Sequence, residues 1–267
     1  QLEGDARKLL LNEINEMREA LSSGTDTQKE EASIEIMSKA FSKMSDEVGT
    51  LIDARTHDLV VAKDEINSST RYAAKLQNAL LPRMFPGDID INVEWKPRDL
   101  VGGDIYFIKD LPDRVYIAVV DCTGHGVPGA FLSIIARSHL DKAITPDDYQ
   151  SAGSYLSKVH ELLKDTLNRA DQKNTSEEGF DGGVCIYYRN ERRLEFAGAK
   201  ASIFQVKADG ATETSGDRKS VGSTRMKEGF EYTTSVINDS NGAFVMLTDG
   251  ITDVMSAEER PIAFGRR

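Results

Sequence analysis

The sequence predicts an α+β fold preceded by a long helical segment, and three observations lead to that class. Residues 1 to about 80 carry apolar side chains at helical spacing and contain no proline before Pro82. Two amphipathic helices are then predicted, from Pro128 to about Ile144 and from Tyr155 to Leu167. Short apolar runs follow these helices one after another, which is typical of antiparallel sheet in an α+β domain.

The helical segment shows two apolar stripes. The first stripe is Leu10, Ile14, Met17 and Leu21, and it ends at Ser22-Ser23-Gly24. The second stripe is Ile34, Met37, Phe41, Met44, Val48, Ile52, Arg55, Leu59, Ala62, Ile66, Ser69, Ala73, Leu76 and Leu80. Its steps of three and four residues are those of a coiled-coil seam, and the extra step of four from Val48 to Ile52 indicates a stutter. We expect a parallel homodimer through Ile34 to Leu80; the alternative is a long helix packed on its own domain.

A compact domain is predicted to follow this segment, so the chain divides into residues 1–80 and 81–267. Pro82, Pro86 and Gly87 end the helix. The predicted strands are Val115 to Val120, Val184 to Tyr188, Arg193 to Ala197, Ser202 to Val206, Glu231 to Val236 and Ala243 to Leu247.

Composition excludes several classes of protein. The formal net charge of -11 argues against a nucleic-acid partner, because phosphate backbones are bound mainly by Lys and Arg. Cys122 and Cys185 are the only cysteines and cannot form a disulfide framework. No run of 18 apolar residues is present, so no membrane-spanning segment is predicted within these 267 residues.

Three acidic residues share one setting, and they are the candidate catalytic residues. Asp104, Asp121 and Asp249 each stand beside a glycine or a glycine-containing loop, and the last two follow apolar strands. Carboxylates in such positions are ligands for magnesium or manganese, and two such ions can activate water and clamp a phosphoryl group. For any single Asp the alternative is a turn residue or a helix cap.

Rival chemistries find less support in the sequence. The segment 124–129, GHGVPG, matches a dinucleotide-binding loop, but no second strand ends in an acid about 20 residues later. Neither cysteine has an arginine six positions on, and the four histidines lack zinc-ligand spacing, so His125 is expected to orient its loop. Lys200 is a candidate contact for phosphate, with a solvated lysine as the alternative.

Five motifs in order resemble a known family over Leu76 to Gly265. The segments are AAKLQNALLP, LVGGDIYFI, VVDCTGHGVPGAFLSI, LEFAGAKASIF and VMLTDGITDVM. They resemble the PPM metal-dependent protein phosphatases, and in particular the bacterial branch that includes SpoIIE and RsbU.

The resemblance implies a sandwich of two antiparallel sheets flanked by helices, and it implies Mn²⁺ or Mg²⁺ at two sites. By motif match, Asp121 would bridge both ions, Asp104 and the Cys122 carbonyl would bind one, and Asp249 the other. Water activated by the ions would attack phosphoserine or phosphothreonine. The branch implies that the substrate is a phosphorylated STAS-type regulatory protein.

Four further positions are candidates for contact with substrate or metal. Gly103 and Lys200 are the expected substrate-binding residues, although Lys200 stands where the branch usually has His. Asp253 or Asp181 is a candidate ligand for a third, weaker ion, with a solvated surface acid as the alternative. The last acidic motif of the family is absent from these residues, so we expect weak metal binding.

Residues 1 to about 55 resemble a HAMP signalling module. This resemblance implies that the chain is the cytoplasmic part of a bacterial protein anchored in the inner membrane. Two alternatives to a phosphatase remain at this point: an inactive member that uses the fold as a binding or dimerising module, and a dinucleotide-binding enzyme built on the 124–129 loop.

Overall fold

The computed structural model describes residues 12, 15, 18, 26–146, 148–170, 178–223, 226, 229–238 and 241–251. From residue 26 onwards these residues form three α-helices, eight strands and one 3-10 turn. The helices are α1 (Asp26–Leu80), α2 (Gly126–Lys142) and α3 (Ala152–Ala170). The strands are β1 (Ile105–Asp110), β2 (Arg114–Cys122), β3 (Phe180–Tyr188), β4 (Arg193–Ala199), β5 (Ser202–Lys207), β6 (Gly210–Ser215), β7 (Ser235–Ile237) and β8 (Ala243–Met246).

Helix α1 is continuous over 55 residues, so the second apolar stripe is helical throughout. Its large apolar side chains are exposed along this helix, with Phe41 at 69% and Leu59 at 71%. The first stripe and the break at Ser22-Ser23-Gly24 lie outside the described residues. The chain divides into two compact units, of which the first ends at Ser68 and the second is Ser69–Arg267, so the C-terminal residues of α1 belong to the second unit.

The strands form two antiparallel sheets, which confirms the predicted α+β sandwich class. Sheet A has the strand order β1-β2-β3-β4-β7, and sheet B has the order β6-β5-β8. Every pairing between these strands is antiparallel. The dinucleotide-binding alternative is therefore wrong for the 124–129 loop, because that site needs a parallel pair joined by the helix, whereas β3 returns antiparallel to β2.

Successive side chains on the strands of sheet A point to opposite faces of the sheet, and each face contributes to its own hydrophobic core. One face packs on α2 and α3 through fully buried side chains such as Phe107, Tyr116 and Leu156. The opposite face meets sheet B, where Phe196 and Ile203 are buried. The space between the two sheets is the one that matters for the candidate site, because the acidic residues lie at its end.

The observed strands differ from the predicted ones at β1, β6 and β7. Strand β1 was not predicted, and it pairs with β2 along its whole length. Strand β6 was not predicted because it lies at the edge of sheet B and its residues are mostly exposed and polar. Only the end of the predicted strand Glu231 to Val236 is a strand. Its buried Tyr232 instead packs beside α3, where the Tyr232 amide donates to Ser157 Oγ at 2.9 Å. The apolar pattern there reflects contact with a helix.

Across the residues that the structure places, no helix combines the length and the apolar character that a membrane crossing requires.

Candidate metal centre

The two sheets bring Asp104, Asp121 and Asp249 to one end of the space between them. Asp104 immediately precedes β1, and the pairing of Ile105 with Val120 places Asp104 next to Asp121 on the neighbouring strand. Asp249 begins the 3-10 turn that follows β8 in sheet B. We refer to these three residues as the carboxylate cluster.

The carboxylates of Asp104 and Asp249 affect the pKa of the Asp121 carboxylate. The pKa of Asp121 is raised from its usual 3.8 to about 8, first by burial and then by hydrogen bonding and charge repulsion from the neighbouring Asp104 and Asp249. A hydrogen bond from Thr248 Oγ1 to Asp104 Oδ2, 2.8 Å long, links the two sheets at this point. The three carboxylates therefore lie close together in the fold, and Asp121 interacts with both of the others.

This donor set fits a hard divalent cation. Like charges in a partly buried site are unfavourable alone, and a cation with oxygen preference relieves that repulsion. Among the residues given a position here, no three His, Cys, Asp or Glu side chains form a closed metal-binding group. Asp121 instead meets Asp104 and Asp249 in two separate pairs. Backbone oxygens and water would complete the coordination of a bound cation, as magnesium and manganese accept.

The loops around the cluster are packed backbone against backbone. A Cβ on Gly103 would lie 2.6 Å from the Cys122 carbonyl oxygen and 3.0 Å from that of Gly124. A Cβ on Gly129 would lie 2.4 Å from the same Gly124 oxygen. The Cys122 side chain is buried in the core beneath α2, where burial raises the pKa of its thiol, so only its main chain lies on the side of the cluster.

Gln77, near the end of α1, fixes the loop that carries Asp104. Its side chain is 1% exposed, its Nε2 donates to Gly102 O at 2.6 Å, and its Oε1 accepts from Gly102 N at 3.2 Å. The same Nε2 lies 2.9 Å from Ser133 Oγ on α2. The amide thus satisfies both polar groups of one glycine, two residues before Asp104.

Sequence reasoning missed the residues that hold Asp104 in place. Gln77 lies in the AAKLQNALLP motif, but nothing in the sequence indicates that a glutamine in a charged helix is buried. Trp95 Nε1 donates to the Asp104 carbonyl at 3.0 Å, and Thr248 binds its carboxylate. Thr248 directly precedes Asp249, so its position in the last motif was the available signal.

The structure also places three other residues that the sequence analysis singled out. Asp181 pairs with Asp121 across β2 and β3, and Lys200 Nζ lies 3.3 Å from Asp181 Oδ2. His125 is exposed, with Nδ1 3.7 Å from Asp99 Oδ2. Asp253 lies outside the described residues.

Comparisons with known proteins identify a single family. The family model of stage II sporulation protein E (SpoIIE) matches residues 112–266. The SiaA-PP2C domain of Pseudomonas aeruginosa is 30% identical, with a TM-score of 0.63 over 77% of this chain and 80% of that one. No curated protein gives a significant match.

Two further solved structures are more distant. The SpoIIE phosphatase domain with part of its regulatory domain, from Bacillus subtilis, is 18% identical at a TM-score of 0.49, over 61% of this chain and 44% of that one. The RsbU and RsbW domains of a Mycobacterium tuberculosis protein are 20% identical at a TM-score of 0.46, over 58% and 41%.

The contacts of Gln77 lead to a prediction about the stability of the Asp104 loop. Gln77→Ala should lower the free energy of unfolding by about 1–3 kcal/mol, because the partly buried Gly102 N–H and C=O lose their partners. Chemical denaturation followed by the fluorescence of Trp95, the single tryptophan, measures this loss. Asn78→Ala is the matched control, since Asn78 is exposed and its side chain donates to Ala74 O within the same helix. Equal losses for the two variants would contradict the assignment.

The raised pKa of Asp121 leads to a prediction for the protein stripped of metal. A carboxyl whose pKa is raised to about 8 on folding contributes stability that is present below about pH 4 and is lost as pH rises through about 8. In chelator, the Tm of the wild type should therefore fall between pH 5 and 9, while that of Asp121→Asn should fall less and be higher at pH 8.5. Excess Mn²⁺ should reverse this order. Asp209→Asn, in the exposed turn before β6, is the control. A Tm for Asp121→Asn below that of the wild type, in chelator at pH 8.5, would refute the argument that the carboxylates repel one another.

Proposed function

The chain belongs to the SpoIIE family of PP2C phosphatase domains, and from this premise we propose that it hydrolyses phosphoserine or phosphothreonine on a partner protein, with Mn²⁺ or Mg²⁺ as the cofactor. The observation that carries the proposal is the convergence of Asp104, Asp121 and Asp249 from two sheets, which crowds negative charge around Asp121. PP2C-type domains depend on metal, and this convergence supplies carboxylate oxygens where metal ions are needed.

The residues of the carboxylate cluster would share the work of holding two cations. Asp121, between its two neighbours, would bridge both; Asp104 and the Cys122 carbonyl would serve one and Asp249 the other. When bound, the cations supply Lewis acidity that activates water and neutralises charge on the phosphoryl oxygens. Hydrolysis forms a bond from water oxygen to phosphorus and breaks the bond to the side-chain oxygen, releasing inorganic phosphate and a hydroxyl side chain.

Neighbouring residues would keep this geometry without touching substrate. Thr248 fixes one oxygen of Asp104, and Trp95 binds the carbonyl of the same residue. Gln77 holds the preceding Gly102. Such preorganisation matters because a cluster misplaced by about 1 Å loses much of its catalytic effect.

Substrate-side roles are proposed for Gly103 and Lys200. Gly103 packs so closely on the Cys122 and Gly124 carbonyls that no side chain fits there, and its main chain borders the cluster.

We also propose a phosphorylated STAS-type regulatory protein as the substrate. An inactive member acting as a binding module is the rival function, and phosphate release separates the two.

Loss of Asp121 should abolish catalysis. Asp121→Asn should lower phosphate release from a phosphoprotein by about 10³-fold or more, because an amide cannot bridge two cations as a carboxylate does. Chelator should stop the wild type to the same extent, and added Mn²⁺ or Mg²⁺ should restore only the wild type. Asp209→Asn serves as the control for a lost surface charge. Near-normal turnover of Asp121→Asn with manganese would exclude the assignment.

Helix α1 supports a second proposal, that two copies pair through the seam from Ile34 to Leu80. Ile34, Phe41, Leu59 and Ile66 are each more than 60% exposed in the single chain. An exposed apolar stripe of this length, repeating every three and four residues, is what a coiled coil buries. The HAMP-like N-terminal segment and the anchoring of the protein in the inner membrane remain predictions.

Charged substitutions in the seam should weaken this dimer. Phe41→Glu and Leu59→Glu should each shift the mass measured by light scattering from dimer toward monomer at about 50 µM, a concentration that detects weak association. Asp64→Lys is the control, since helical periodicity places Asp64 opposite the seam. A monomeric wild type at that concentration would refute the proposal.

A further inference from the structure

Lys200 occupies a backbone conformation that its side chain disfavours. It and Arg192 are the two non-glycine residues with positive φ among those that the structure describes, at 51° and 49°. For residues other than Gly, Asn and Asp this region costs about 1 kcal/mol or more. Arg192 lies in the hairpin between β3 and β4, where turns commonly require such an angle.

The strained residue lies in a short link between the two sheets. Lys200 and Ala201 alone connect β4 in sheet A to β5 in sheet B. The Lys200 amide donates to Asp217 O at 2.6 Å, and the Asp217 amide donates to Gly198 O at 2.8 Å. The turn therefore fixes the backbone, and glycine would satisfy it at lower cost. A lysine at this position points to a use for its side chain.

The Lys200 ammonium is held beside the carboxylate cluster. Its Nζ lies 3.3 Å from Asp181 Oδ2, and Asp181 is the direct cross-strand partner of Asp121. Opposed residues on antiparallel strands place their Cβ atoms about 5 Å apart on the same face. Asp181 therefore stands between Lys200 and the cluster. Both partners of the ion pair are about half exposed, so the pair itself adds little stability.

Building on the proposed phosphatase function, we propose that Asp181 is a positioning residue that holds the Lys200 ammonium at the edge of the carboxylate cluster, where it receives the phosphoryl group of the substrate. A phosphoryl group near Asp121 brings negative charge to a site already rich in carboxylates. A preplaced ammonium offsets that charge and donates hydrogen bonds to the phosphoryl oxygens. Asp181 is thereby assigned to Lys200 and not to a third metal ion.

A double-mutant cycle with Lys200→Gly and Asp181→Asn tests this assignment. With p-nitrophenyl phosphate and saturating Mn²⁺, Lys200→Gly should raise KM about 10-fold, the scale of one charge-assisted bond in a partly exposed site. Asp181→Asn should raise KM about 3-fold. The double variant should be no worse than Lys200→Gly alone, because a positioning residue acts only through its partner. Lys200→Arg should restore most of the loss.

Two further readouts do not depend on turnover. Calorimetric binding of inorganic phosphate to the Mn²⁺-loaded protein should weaken in parallel with KM. The Tm of Lys200→Gly should be unchanged or higher, because glycine relieves the positive φ. Arg192→Gly is the matched control: it relieves the same strain at the other end of β3 and β4, about 20 Å away along the strands, and should not change phosphate binding.

The possible outcomes separate the inference from the function on which it rests. Additive losses in the double variant would overturn the positioning role. An Asp181→Asn variant that needs more Mn²⁺ in the Lys200→Gly background would also overturn it and would indicate a metal ligand. Unchanged phosphate binding in Lys200→Gly, with an active wild type, would overturn the inference and leave the phosphatase intact. A wild type that binds phosphate but never hydrolyses it would overturn the proposed function alone.

Discussion

The central constraint in this domain is the repulsion among three carboxylates gathered at the end of the space between two sheets. A fold that had only stability to satisfy would keep Asp121 away from Asp104 and Asp249. Here the fold fixes them instead, and neighbouring contacts resist their separation. The Thr248 hydroxyl binds Asp104 from the opposite sheet. The resulting local instability is of the kind that functional sites carry and the rest of a domain offsets.

Glycines permit this gathering because the loops meet main chain to main chain. A side chain on Gly103 would lie too close to the Cys122 carbonyl, and one on Gly129 would lie too close to the Gly124 carbonyl. Gly183, on β3, instead leaves room for a side chain, since a Cβ there would lie 2.8 Å from the Phe196 ring of β4. A larger residue at any of these positions would displace the elements that carry the carboxylates. Such a substitution would therefore disturb the carboxylate cluster without changing one of its members.

Much of the fold follows from periodicity, but two strands were not predicted: β1, although most of its residues are apolar, and β6, which has no apolar signature. Strand β2 and helix α3 bury one apolar face and were predicted within a few residues. Strand β6 contributes exposed polar residues to a sheet edge, so its pairing with β5 depends on backbone bonds that sequence patterns do not encode. Asp104 and Asp121 were found through their glycine context, whereas Gln77 was not, because its burial depends on α1 packing against a loop some 25 residues later.

The order of the strands along the chain has a consequence for protein synthesis. Strands β1 to β4 follow one another in sequence and in space, so Asp104 and Asp121 can meet early on a growing polypeptide. Asp249 follows β8, which pairs with β5 after β6 and β7 have been made. Because translation proceeds from the N-terminus, the nascent domain can build most of sheet A before the third carboxylate leaves the ribosome. The carboxylate cluster is thus incomplete until the segment that follows β8 has been synthesised.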